Sequence, residues 1–151
     1  MRCHLVALAS LILVTGCSPE VRKETTYEIR FGIIGVGANG ESRVIRETNQ
    51  IPRRDQSTGF RYGISIVPSD DRPFEIYFVA GFPSLPERTS GLAKDAPINP
   101  ITQKLKSPSQ TGKGVSTVPF WFDPGDPLGK YTLEIFINGQ SRKYFEYNVV
   151  E

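Results

Sequence analysis

The chain has 151 residues, with 18 Lys plus Arg against 16 Asp plus Glu and a formal net charge of +2. That length fits one domain, and a charge this small gives no field that would favour nucleic acid as a partner. The single histidine, His4, and both cysteines, Cys3 and Cys17, lie within the first 17 residues. The rest of the chain therefore lacks the residue types of a Ser-His-Asp or Cys-His relay and of a His/Cys zinc site.

Arg2 and His4 precede ten small or apolar residues, Leu5 to Val14. A basic start, a short apolar run and small residues after it describe a secretory signal. The run falls short of the roughly 20 residues a spanning helix needs. Val14-Thr15-Gly16-Cys17 resembles the lipobox of bacterial lipoproteins. That resemblance implies cleavage after residue 16 and acylation of Cys17, whose two or three acyl chains would hold the protein on a membrane where one would not. Ser18 rather than Asp follows the cysteine, which resembles sorting to the outer membrane, facing the periplasm. The expected mature chain starts at Cys17, has no histidine, and carries 17 basic and 16 acidic side chains. No disulfide, metal site, cofactor or catalytic residue is then expected. Residues 17–24 form a short tether, which keeps the folded part near the membrane.

Residues 25–151 read as strands and turns. Tyr27, Ile29, Phe31 and Ile33 alternate with polar residues or Gly at period two. Gly35 to Gly40 (GVGANG) matches a dinucleotide fingerprint in spelling. No amphipathic helix follows it, so a glycine-rich hairpin is the expectation. Ser42 to Thr48 is a charged, short edge strand. Phe60, Tyr62, Ile64 and Ile66 alternate, as do Phe74, Ile76 and Phe78 after the Pro68–Pro73 turn. Val115 to Asp123 is a strand in which Trp121 is expected in the core. Phe120 and Phe122 then fall on the opposite face as a possible binding platform. Tyr131, Leu133, Ile135 and Ile137 alternate up to an Asn138-Gly139 turn, and Phe145, Tyr147 and Val149 share a face of the last strand. About seven strands and no helical period predict an all-β, antiparallel β-sandwich.

The segment 81–114 breaks this rhythm with Pro83, Pro86, Pro97, Pro100 and Pro108. It is expected as a long crossing loop, with a short edge strand within Ile101 to Lys106. Arg88, Lys94, Lys104, Lys106 and Lys113 face only Glu87 and Asp95 in it, so it could steer an acidic partner. Asp70-Asp71 and Asp123/Asp126 lack calcium-loop spacing and read as turn residues.

Asp126-Pro-Leu-Gly-Lys-Tyr131 resembles the tyrosine corner of immunoglobulin-like domains, although Leu133 stands where that family often has Cys. Phe31-Gly-Ile-Ile-Gly35, Gly81-Phe-Pro83, Gly91-Leu92, Phe120-Trp-Phe-Asp123, Gly129-Lys-Tyr131 and the strand at Phe145 are similar to small bacterial Ig-like domains. The resemblance implies a single Ig-like β-sandwich over 25–151. Small lipid-anchored proteins of this kind also resemble immunity lipoproteins, which block secreted lipid- or wall-degrading toxins. The expectation is a non-enzymatic, lipid-anchored binding protein whose partner is a secreted, phospholipase-type toxin. The alternative is a structural or assembly lipoprotein of the envelope. The residues expected to contact the partner are Arg88, Lys94, Lys104, Lys106, Lys113, Phe120 and Phe122.

Overall fold

The computed structural model describes residues 23–54, 56–87 and 96–151. The signal segment 1–16, Cys17, Arg88 and Lys94 lie outside these residues.

The described chain is almost entirely strand: β1 (Tyr27–Val36), β2 (Ser42–Glu47), β3 (Gln50–Pro52), β4 (Tyr62–Pro68), β5 (Phe74–Gly81), β6 (Ile98–Asn99), β7 (Lys104–Lys106), β8 (Gln110–Gly112), β9 (Ser116–Phe120), β10 (Gly129–Ile137) and β11 (Gln140–Val150). One 3-10 turn, Gln56–Thr58, precedes β4. A four-stranded sheet runs β2-β1-β4-β9. A seven-stranded sheet runs β3-β11-β10-β5-β7-β6, with β8 also on β5. All pairings are antiparallel except that of β3 with β11. The two sheets make the expected all-β sandwich.

Period-two alternation decides which side chains fill it. Phe31, Tyr62, Ile64 and Ile66 from the first sheet meet Phe74, Ile76, Phe78, Leu133, Ile135, Ile137, Tyr147 and Val149 from the second. Each aliphatic side chain fully removed from water contributes about 1.5–3 kcal/mol. Aromatic rings thicken one end of this core. Tyr147 lies 5.4 Å from Tyr131, 5.8 Å from Tyr62 and 4.7 Å from Phe31 between ring centres.

The glycine-rich stretch forms the β1–β2 hairpin, closed by Gly37 N–H to Glu41 O at 2.7 Å and Gly40 N–H to Gly37 O at 3.0 Å. A bulge between Ile33 and Ile34 turns this hairpin back across the outer face of its own sheet. There Val44 N–H donates to Ser65 Oγ at 2.8 Å, and Thr117 Oγ1 donates to Ser42 O at 2.7 Å. The fold-back needs Gly32, where a Cβ would lie 2.1 Å from the Arg46 carbonyl oxygen.

The segment 81–114 differs from expectation. Instead of one crossing loop it contains β6, β7 and β8, and the strand within it begins at Lys104 rather than Ile101. β7 pairs with the end of β5 and β8 with its start. Between them Ser107 continues the edge: its N–H donates to Phe78 O at 2.9 Å and its Oγ accepts from Phe78 N–H at 3.0 Å. The prolines read as breakers stand between strands, a position that edge strands tolerate. β3 was not anticipated either. It is held by the register of Ile51 with Val149 and by Arg53 N–H to Val150 O at 2.7 Å.

Candidate interaction surface

The two ends of the sandwich are built differently. At one end the chain comes in beside the β4–β5 turn. Thr25 Oγ1 donates to Asp70 Oδ2 at 2.9 Å. Thr26 N–H donates to Ser69 Oγ at 3.0 Å, and Ser69 N–H returns a bond to Thr26 O at 2.9 Å. Arg72 grips both sides: Nη2 donates to Asp70 Oδ2 at 2.7 Å and to Lys23 O at 2.8 Å. Arg142 donates to Glu24 Oε1 at 3.1 Å and lies 5.7 Å over the Tyr27 ring. The Arg72 hydrogen bonds, with help from Thr25, hold the Asp70 carboxyl well below the usual carboxylate range. Asp70 also accepts from Arg72 N–H at 3.0 Å, the turn role expected of it.

At the opposite end the tyrosine corner is present. Tyr131 Oη donates to Pro127 O at 2.7 Å. The turn before it is closed by Asp126 Oδ2, which accepts from Asp123 N–H at 2.8 Å. Burial, reinforced by the nearby Asp126 charge, pushes the Tyr131 hydroxyl above its ordinary range, so it remains a donor. Phe82 meets the Tyr131 ring edge-on at 5.7 Å.

The β6–β7 turn lies at this same end, because Phe82 N–H donates to Gln103 O at 3.0 Å. Asn99 organises the turn. Its Oδ1 accepts from Ile101 N–H at 2.9 Å and Thr102 N–H at 3.0 Å, and its carbonyl accepts from Gln103 N–H at 2.8 Å. The turn carries Ile101 outward at 91% exposure. Leu85 and Leu128 are also exposed at this end.

The residues expected to form one patch are divided. Lys104 and Lys106 lie on β7 beside Gly81 and Val79, both exposed. Lys106 Nζ sits 4.3 Å from the Tyr77 ring centre, and that ring stacks on Phe136 at 4.7 Å. Lys113 follows β8, which pairs with Phe74 at the other end of β5. Seven strand residues, about 23 Å, separate the Gly81 and Phe74 positions. Phe122 is 2% exposed and stacks on Tyr62 at 4.7 Å. Phe120 is half-buried against Tyr62 and Phe78. The expected faces are therefore reversed: Phe120 and Phe122 point into the core, and Trp121 lies half-buried outside it with Arg61 over its ring at 5.1 Å. Val118, buried on β9, sets that parity, and it was the available signal. The exposed Ile101 was missed because it was assigned to a strand; the Asn99-Pro100 pair was the turn signal. Among the described residues, no group of three or more His, Cys, Asp or Glu is placed to hold a metal ion.

The model of the PM0630 beta sandwich domain family matches residues 29–150. The chain belongs to that family. Among solved structures it is similar to an immunoglobulin-like protein, PA1606, from Pseudomonas aeruginosa. The two share 15% identity with a TM-score of 0.50, over 87% of this chain and 100% of the other. That likeness concerns the Ig-like fold alone. No curated protein matches the chain.

Proposed function

We propose that this PM0630-family domain is a lipid-anchored protein of the bacterial envelope that works by binding another protein. Acyl chains on Cys17 hold it on the outer membrane, facing the periplasm. Within that class, we infer an immunity protein that occludes a secreted, phospholipase-type toxin by shape and charge rather than by catalysis. The observation that carries this reading is the placement of the entering chain and of Ile101 at opposite ends. Arg72, Asp70 and Arg142 clamp residues 23–27 at one end, while Ile101 stands out at 91% exposure at the other. A sandwich tethered through its first strand would turn the Ile101 end away from its own membrane.

The test has two parts. Mass spectrometry of the purified chain is expected to show cleavage before Cys17 and added acyl chains, and Cys17→Ser is expected to release the protein from the membrane fraction. Affinity capture of the detergent-solubilised chain is expected to recover a secreted lipase-type enzyme and to inhibit it when mixed in pure form. Recovery of envelope-assembly components without such an enzyme would overturn the immunity reading and favour a structural role.

A further inference from the structure

We infer that the β6–β7 turn is the contact point of the proposed binding role, and that Ile101 fits an apolar pocket rimmed by carboxylates on a protein partner. This deepens the binding reading above and rests on it. Three observations point the same way.

First, Ile101 contributes almost nothing to the sandwich, since it is 91% exposed. Second, its backbone is fixed. Asn99 holds Ile101 and Thr102 N–H through one side-chain oxygen, and Gln103 is tied to both Asn99 and Phe82. A turn that is already ordered loses little entropy on binding, so the apolar gain from one side chain is kept. Third, the strand leaving the turn carries Lys104 and Lys106, and among the described residues neither is in an ion pair with a carboxylate. Lys104 lies beside Gly81, where an added Cβ would come within 3.9 Å of the Lys104 Cγ. An apolar knob with lysines beside it is complementary to an apolar hole with acids beside it. The anchored membrane is a poor occupant, because the turn lies at the end away from residues 23–27.

The experiment places a photo-reactive phenylalanine analogue at position 101 of the full chain in cells, with a control at Lys113 at the other end. The expected result is a cross-link from position 101, absent from position 113, to peptides of one protein that contain apolar residues and Asp or Glu. That purified partner should bind Ile101→Ser at least about tenfold more weakly. It should bind a Lys104→Glu/Lys106→Glu variant with a slower association rate, the difference shrinking as salt is added.

Undiminished binding of Ile101→Ser to a partner captured by the wild-type chain would overturn this inference and leave the binding role intact. Failure of the wild-type chain to capture any partner would overturn both. Cross-linking to a second copy of the chain would overturn it. So would Ile101-dependent co-sedimentation of the Cys17→Ser chain with phosphatidylglycerol vesicles.

Discussion

The end that receives the chain and the end that carries the β6–β7 turn both close their turns with hydrogen bonds, yet they treat their side chains differently. At the receiving end the groups that hold the incoming chain are polar and matched, Asp70 with Arg72 and Thr25 and Arg142 with Glu24, although Val67 and Val115 are exposed beside them. At the other end the turns are closed by Asn99, Asp126 and Tyr131, but Ile101, Leu85 and Leu128 are left in water. Exposed ion pairs contribute only about 0–1 kcal/mol each, so the polar end does more to fix direction than to add stability. The apolar end leaves hydrophobic area unburied, area that a partner could cover.

The contrast can be broken most forcefully within the segment 81–114 itself. Leu105, 1% exposed, is the inward side chain of β7. Leu105→Ala is expected to cost about 2–5 kcal/mol, read as a lower midpoint in urea unfolding. If the segment were a detachable loop, the midpoint would not move. The same point means that removing residues 85–112 wholesale would strip β7 and β8 from β5, so surface substitutions are the cleaner tool. A smaller effect is expected at the tyrosine corner. Tyr131→Phe removes the bond to Pro127 O and should lower stability by about 1 kcal/mol, with faster amide exchange in residues 123–128.

Much of this architecture was legible because five long strands each show several inward side chains in strict alternation. Tyr131 and its turn were legible through the resemblance of Asp126-Pro-Leu-Gly-Lys-Tyr131 to the tyrosine corner of immunoglobulin-like domains. The short strands were not. β3 and β7 each contribute one buried residue, Ile51 and Leu105, and one residue cannot display a period. The fold-back of the β1–β2 hairpin was also hidden, since it depends on Gly32 and on Ser65 and Thr117 meeting β2 across the sheet. The lysines of 81–114 were read as one patch from their density in sequence. β5 separates them because β7 and β8 take opposite ends of it.

At the receiving end the prediction concerns pH. Arg72 and Thr25 lower the Asp70 pKa in the folded protein below its unfolded value. The contribution of this group is therefore fully present above the ordinary carboxylate range and is lost as pH falls through the lower folded value. Acidification below about pH 4 should loosen residues 23–27, seen as a lower protection factor of the Thr26 amide, measured against its intrinsic exchange rate at each pH, while the core amides remain protected. In Asp70→Asn, which cannot titrate, the Thr26 protection factor should be lower at neutral pH and change little on acidification. A wild-type Thr26 protection factor indifferent to acid would show that this network does not hold the first strand.

The smallest expected effect on stability is at Ile101, and that is what makes it informative. Replacing an exposed aliphatic residue away from packing usually changes stability by less than about 0.5 kcal/mol. Asn99 bonds the backbone of the turn rather than the Ile101 side chain, so Ile101→Ser should leave the turn closed and the urea midpoint unchanged. Removing an apolar group from water-facing surface should also improve solubility at high concentration. A measurable loss of stability would mean that the side chain packs on its own molecule, and the apolar end would then be ordinary surface. An unchanged midpoint leaves Ile101 with no internal task. Any loss of binding in the same variant then has to arise at the contact itself.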